Sequence, residues 1–326
     1  MKTVFKTYDP SKDFTRVRDF LVDTFLLYQG PFNWTIARWN FCRYFVVPFH
    51  TFYNVCYFGV PTHPGRSHRD ELPFWEKTIG IWEDRQGDIV GVVNTENEEP
   101  GEAWIQIHPD YTFLYDEMVT YIEDHLADRV GAIGYVKLYV PVGSELERVA
   151  SARGYRKLTR YRHVHLEYIL DDLPAPRLPD GFLVKSVLDE DDVEKRRIVR
   201  AMAFGPNYCP SAWPPASLFR EMQRAPEYRE DLDLFIVAPN GDYVSFCTIW
   251  MDERNKYGVF EPVGTHAEYQ GLGLGRALLM EGFRRMAQCG ATRSFMDSFH
   301  PFYRKIGFQE TPYVYYPWVK YLGLDA

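Results

Sequence analysis

Residues 259–276 read VFEPVGTHAEYQGLGLGR. Val259, Phe260 and Val263 form a short apolar run that suits a buried strand. Gly271, Gly273 and Gly275 then fall within a few residues of one another. The sequence continues as RALLMEGFRRMAQC, in which Leu279, Phe283 and Met286 recur at helical spacing. A strand, a glycine-rich turn and a helix in that order make an anion cradle. Glycine lets the backbone approach a ligand closely, and the free N–H groups of a helix start face negative charge. A phosphorylated ligand is therefore expected here.

The spacing of the loop decides which one. A phosphate loop of the Walker type needs Lys and then Ser or Thr after its last glycine, whereas Gly275 is followed by Arg276-Ala277. A dinucleotide fingerprint needs G-x-G-x-x-G, and these glycines are spaced two and two. What fits is Gln270-x-x-Gly273-x-Gly275, preceded by His266-x-x-Tyr269. This resembles the acetyl-CoA signature R/Q-x-x-G-x-G/A of the GNAT superfamily of N-acyltransferases. Tyr303-Arg304-Lys305-Ile306-Gly307-Phe308, about thirty residues on, resembles the same superfamily's Tyr-x-x-x-Gly-Phe motif. The resemblance covers roughly residues 181–320.

The resemblance implies an α+β fold, with two domains each built on a twisted, mixed, largely antiparallel sheet flanked by helices. It implies acetyl-CoA as co-substrate, no metal, and transfer of an acetyl group to a primary amine by direct attack. The N–H groups of Gly271, Leu272, Gly273, Leu274, Gly275 and Arg276 would hold the pyrophosphate. The strand around Val263, Gly264 and Thr265 would pair with the pantetheine arm, and Gln270 would sit at the loop mouth. Tyr303 matches the tyrosine that protonates the leaving thiolate. Glu261, on the strand leading into the cradle, is a candidate base, with a structural carboxylate as its alternative. Many relatives carry an Asn shortly before the tyrosine; here the segment is Asp297-Ser298-Phe299-His300-Pro301-Phe302, and Ser298 would have to substitute. His300 is either a local acid or base or a surface residue at a helix start. The three glycines are expected to serve the ligand rather than packing.

At 326 residues the chain is long enough for two domains. Residues 1–170 hold 19 Lys+Arg against 23 Asp+Glu and the rest hold 18 against 22, so neither half is basic and a nucleic-acid surface is not expected. Five scattered cysteines without a C-x-x-C pair point away from a disulfide framework or zinc site and toward a reducing, cytoplasmic setting. No apolar run has transmembrane length and no signal core opens the sequence. His163 and His165 share a strand face, yet no spacing supplies a third metal ligand.

Periodicity predicts helices over 12–28, 144–152, 189–204 and 216–224, with a further one carrying Met118, Ile122 and Leu126. It predicts strands over 77–82, 89–94, 103–107, 136–140, 161–168, 182–187, 234–238, 243–250, 292–296 and 313–319. The aromatic segment 34–47 reads as core packing, with an acceptor pocket or a domain interface as its alternative. The Pro-rich stretch 171–180 reads as a linker, dividing a domain of residues 1–170 from one of 181–326. The halves share an order of elements: His108-Pro109-Asp110-Tyr111 aligns with His266-Ala267-Glu268-Tyr269, and Gly154-Tyr155 with Gly307-Phe308. This suggests duplication of a whole domain, resembling the tandem arrangement of mycothiol synthase-like GNATs. In the first copy Tyr115 and Glu117 stand where Gly273 and Gly275 stand in the second, so that copy is expected to have lost the cradle. The acceptor, a small-molecule or peptide amine, would lie near Trp213 or Phe204. The competing readings are a non-catalytic CoA-binding protein, and a first domain that delivers a protein substrate.

Overall fold

The computed structural model describes residues 2–49, 68–205, 213–298 and 300–323. The irregular stretch expected after Gly205 falls mostly outside the described residues, as do Cys56 and Cys209. The described chain falls into two compact units. Unit 1 comprises Met1–Thr35, Thr62–His165 and Thr311–Ala326; unit 2 comprises Ile36–Pro61 and Leu166–Glu310. This division differs from the sequence boundary, since 36–49 and 166–170 group with unit 2 and 311–323 with unit 1.

In unit 1, β1 (Val4–Thr7), β2 (Gly80–Glu83), β3 (Ile89–Asn94) and β4 (Glu102–Ile107) pair antiparallel in succession. β4 then pairs in parallel with β6 (Ile133–Pro141) at Glu102↔Lys137 and Ala103↔Leu138. β6 is antiparallel to β14 (Gln309–Leu322), while β5 (Asp128–Val130) folds onto β6 and β7 (Arg156–Lys157) onto β14. β6 shows the two-residue period of a strand with one core face, with Val136, Leu138 and Val140 buried between half-buried Tyr135, Lys137 and Tyr139. The Tyr115–His125 and Glu145–Ala152 helices pack against this apolar face. Each aliphatic side chain so buried contributes about 1.5–3 kcal/mol.

Unit 2 repeats the scheme with β9 (Leu183–Ser186), β10 (Asp233–Val237), β11 (Tyr243–Asp252) and β12 (Tyr257–Thr265) pairing antiparallel. β12 continues in parallel to β13 (Arg293–Asp297). The far side of β13 takes the end of β8 (His163–Ile169), and the Leu170 N–H donates to the Thr292 carbonyl. The Leu274–Gln288 helix lies against β10, β11 and β12. A Cβ at Gly282 would stand 2.5 Å from Phe260 Cε1, so this mid-helix glycine permits the helix to sit directly on β12. The expected Asn-Gly hairpin forms between β10 and β11, with Gly241 at φ +88°.

Several boundaries differ for local reasons. Lys77 and Thr78, read as strand, end the His68–Thr78 helix, and the strand starts at Gly80. The helix expected from Asp189 begins at Val193. Asp192 caps it by accepting from the Glu194 and Lys195 N–H groups, while Asp189 accepts from the Ser186 N–H and hydroxyl. β1 has all four side chains exposed and therefore no apolar pattern to reveal it. No helix among the described residues is long and apolar enough to cross a membrane.

Burial raises the pKa of many tyrosines. Tyr115, Tyr139 and Tyr155 lie well above the usual phenol range and Tyr121 is pushed up to about 12. A phenol whose folded pKa exceeds its unfolded value of about 10 stabilises the fold fully below that pH and ceases to do so as pH rises through the folded value. Tyr115 and Tyr155 are 1% and 4% exposed. Each is expected to remove up to about 1.4 kcal/mol of stability per pH unit above 10. Melting temperature should hold level from pH 7 to 9 and fall steeply between pH 10 and 11.5; a flat profile to pH 11.5 would contradict this.

Candidate functional site

The site in unit 2 begins where β12 leaves its parallel neighbour. Pairing with β13 runs through Tyr257↔Arg293, Gly258↔Ser294 and Val259↔Phe295 and ends there. On the other side, β11 pairs Ile249↔Phe260 and then Cys247↔Val263, so β12 bulges at Glu261-Pro262. The indole of Trp250 donates to the Glu261 carbonyl at 2.7 Å within the bulge. The His266 N–H donates to the Val244 carbonyl. By strand alternation the N–H and C=O of Thr265 therefore face the opposite edge, the one β13 has left. Burial changes at the same point, from fully buried over Tyr257–Phe260 to half-buried over Glu261–Thr265. The result is a strand edge able to pair with an extended, amide-bearing chain. Any other residue at Gly264 would force its neighbours to shift, because a Cβ there would stand 2.7 Å from the Phe246 ring and 2.9 Å from Ala203 Cβ.

That edge leads into the glycine turn. His266 Nδ1 accepts from the Glu268 N–H at 3.2 Å and its ring meets Tyr269 edge-on at 5.4 Å, which fixes the short turn Ala267–Tyr269. Gln270, at the loop mouth, reaches back to the Thr265 carbonyl at 3.4 Å. Gly271 and Gly273 adopt φ +82° and +79°, and a Cβ on either would meet nothing within 4 Å. These two glycines therefore meet a backbone demand beside open space. Gly275 is different: its added Cβ would lie 3.2 Å from both Phe302 Cζ and Thr265 Oγ1, so packing is part of its purpose, which sequence reading had not allowed. The helix starts at Leu274, earlier than periodicity indicated, and the Gly273 carbonyl accepts from the Ala277 N–H. The N–H groups of Leu274, Gly275 and Arg276 are then the first-turn donors that have no acceptor within the helix. Its first turn has no acidic residue, Arg276 is exposed there, and Leu272 is half exposed at the turn's tip. The turn fits a pyrophosphate.

Tyr303 sits on the Pro301–Ile306 helix, which His300 caps by accepting from the Phe302 N–H. That cap accounts for one ring nitrogen of His300. The Tyr303 phenol is 9% exposed and packed edge-on against Phe302 and Phe308. Burial pushes its pKa up to about 12, with a further contribution from Cys247, which pairs with Val263 across the β11–β12 ladder. The Ser298 hydroxyl accepts from the His300 N–H at 3.3 Å. Trp213 lies under the Arg197 guanidinium at 5.2 Å, and Phe204 is 54% exposed.

Glu261 carries a partner that sequence reading missed. Arg38 Nη1 donates to its Oε1 at 2.5 Å, and both side chains are largely covered. No local signal could have found a contact spanning 223 residues.

Unit 1 contains the same local geometry with the opening closed. His108 Nδ1 accepts from the Asp110 N–H at 3.2 Å and its ring meets Tyr111 edge-on at 5.4 Å, matching His266 and Tyr269. β4 leaves β6 after Ala103, as β12 leaves β13 after Val259. Here, however, the freed edge is occupied. The Asn33 side-chain amide accepts from the Ile107 N–H and donates to the Ile107 carbonyl, both at 3.0 Å, and the Gln106 side chain accepts from the Trp34 N–H. The turn after Tyr111 runs without a left-handed residue into the Tyr115–His125 helix, whose Glu117 accepts from the Trp82 indole. An amide from the chain itself thus fills the strand edge that unit 2 leaves open.

This constellation of splayed strand, glycine turn and tyrosine helix, on a mostly antiparallel sheet flanked by helices, is that of an acyltransferase fold. Residues 201–308 match the acetyltransferase (GNAT) family. Among solved structures, a GCN5-related N-acetyltransferase from Sphaerobacter thermophilus is 17% identical, with a TM-score of 0.58 over 98% of this chain and 95% of that one. A tandem GNAT protein from the clavulanic acid biosynthesis pathway is 12% identical, with a TM-score of 0.58 over 100% and 99% of the two chains. At these identities the likeness is one of fold. Comparison with curated proteins gives no match.

Proposed function

We propose that unit 2 is an acetyl-CoA-dependent N-acetyltransferase acting on a primary amine of a small molecule or peptide, and that unit 1 is a copy that has lost its donor site. The observation that carries this reading is the open edge of β12 running directly into an unobstructed glycine turn. Acetyl-CoA would supply the activated acyl group. The edge over Val263, Gly264 and Thr265 would hold the pantetheine amides, and the N–H groups of Gly271 to Arg276 the pyrophosphate. Gln270 would close the loop mouth. Ser298 would lend at most a hydroxyl already engaged by its own turn. Glu261 would take the proton from the attacking amine, directly or through water, and Tyr303 would face the departing sulfur. A reducing, cytoplasmic setting suits Cys247 and Cys289, which form no disulfide.

The test pairs binding with turnover. Isothermal titration should give one CoA per chain, because Asn33 occupies the corresponding edge of unit 1. Donor-thiol release should appear with at least one of polyamines, aminoglycosides, amino acids or peptide N-termini. A stoichiometry of two would overturn the reading of unit 1. Saturable CoA binding without thiol release for any amine would favour a non-catalytic CoA-binding role.

A further inference from the structure

Glu261 is the one proposed catalytic group whose side chain is held by a residue from the far end of the sequence. The Ile36–Phe41 helix belongs to unit 2 and packs on β11 and β12. Ile36, Ala37, Trp39, Asn40 and Phe41 are buried, which leaves Arg38 as the one partly exposed position of the helix. The turn that follows, Cys42–Val46, packs on the Ala216–Met222 helix, with Phe45 edge-on to Phe219 at 5.6 Å and under the Arg200 guanidinium at 4.7 Å. Arg38 is therefore mounted on a rigid, deeply packed segment rather than a surface arm. Its guanidinium reaches Oε1 of Glu261, whose main-chain carbonyl is fixed in the bulge by Trp250. The carboxylate is held from both its backbone and its head.

We infer that Arg38 is a positioning residue for acetyl transfer, supplied by the N-terminal segment to orient the Glu261 carboxylate and keep it ionised. The inference rests on Glu261 being the proton acceptor proposed above. Two physical effects follow from the contact. A carboxylate as covered as this one would resist ionisation, and an adjacent guanidinium offsets that cost. A glutamate side chain also has several rotatable bonds, and the contact removes the freedom that would let it turn from the amine. The same contact makes the carboxylate a weaker base, so the net effect on rate depends on orientation and ionisation outweighing lost basicity. The alternative is that the ion pair merely ties the segment to unit 2. In that case its loss would act on stability and not through Glu261.

A double-mutant cycle on the full chain separates these. Arg38→Ala should lower kcat about 10- to 100-fold with donor KM within about twofold, and Glu261→Gln should lower kcat at least as far. If Arg38 acts through Glu261, adding Arg38→Ala to Glu261→Gln should change kcat by less than about twofold, because groups that act as a unit are not additive. Arg38→Lys should retain more of kcat than Arg38→Gln at matched melting temperature, and this pair carries the test if the alanine variant folds poorly. An Arg38→Ala effect undiminished in the Glu261→Gln background would overturn the inference while leaving Glu261 as the base. Wild-type kcat in Glu261→Gln would instead remove Glu261 from the chemistry, and the role of Arg38 with it.

Discussion

Replacing Gly275 by glutamate is expected to raise the donor KM by more than 100-fold while lowering kcat at saturating donor less than tenfold. The added Cβ would press on Phe302 and on the Thr265 hydroxyl at 3.2 Å, and the carboxylate would stand in the first turn of the Leu274–Gln288 helix. There it competes for the same N–H donors as the pyrophosphate and repels it. One like-charge pair at about 4 Å is worth roughly 4 kcal/mol at the effective dielectric of a protein surface, or about three orders of magnitude in affinity. An acidic residue at a helix start is not in itself destabilising, and unit 1 accommodates Glu117 in its own first turn by pairing it with Trp82. The variant should therefore fold. Steady-state KM and CoA titration check the prediction, with Gly275→Ala as the control for bulk alone. A glutamate variant whose KM stays within fivefold of the parent would mean that the turn does not hold the donor's phosphates.

Tyr303→Phe should lower kcat by about 100- to 1,000-fold with donor KM within threefold. A phenol pushed up to about 12 is fully protonated at neutral pH and so keeps a proton to donate. An ordinary thiol titrates near about 8.5, so complete transfer from this phenol to a free thiolate would be uphill by roughly 5 kcal/mol. The hydroxyl is better suited to hydrogen-bond the charge that develops on sulfur, a contribution of about 2.7–4 kcal/mol where comparable donors have been removed. Because the interaction is made only as charge appears, its loss belongs in kcat. For the same reason, ionisation of Tyr303 should produce no alkaline limb between pH 8 and 10. The ring's packing on Phe302 and Phe308 is unchanged in the phenylalanine variant, so its melting temperature should move by less than about 2 °C. Undiminished turnover in this variant would assign Tyr303 to packing alone.

The parts of the site that were legible are those made by neighbours in the chain. Left-handed glycines, a histidine that caps the residue two positions on, and a proline-started helix ending at Gly307 each depend on a few consecutive residues. Their types and spacing therefore carry the geometry directly. The purpose of Gly275 was misjudged because its neighbours, Phe302 and Thr265, come from other elements. Segment 34–47 reads as core, yet an apolar pattern states only that a face is buried and not which sheet buries it. Its assignment to unit 2 was out of reach.

By itself, the sequence determined the elements of the proposed donor site: a strand, a glycine turn, a helix start and the later tyrosine helix. It also determined that the first half cannot repeat that turn, since Tyr115 and Glu117 replace the glycines. Only the tertiary structure decided that Asn33 fills the freed edge of β4, and that Arg38 crosses 223 residues to hold Glu261. The physical reason is the range of the interactions. Backbone conformation is set by steric clashes within a few residues, whereas an amide pairing with a strand edge, or a guanidinium with a carboxylate, is selected by packing after the chain has folded.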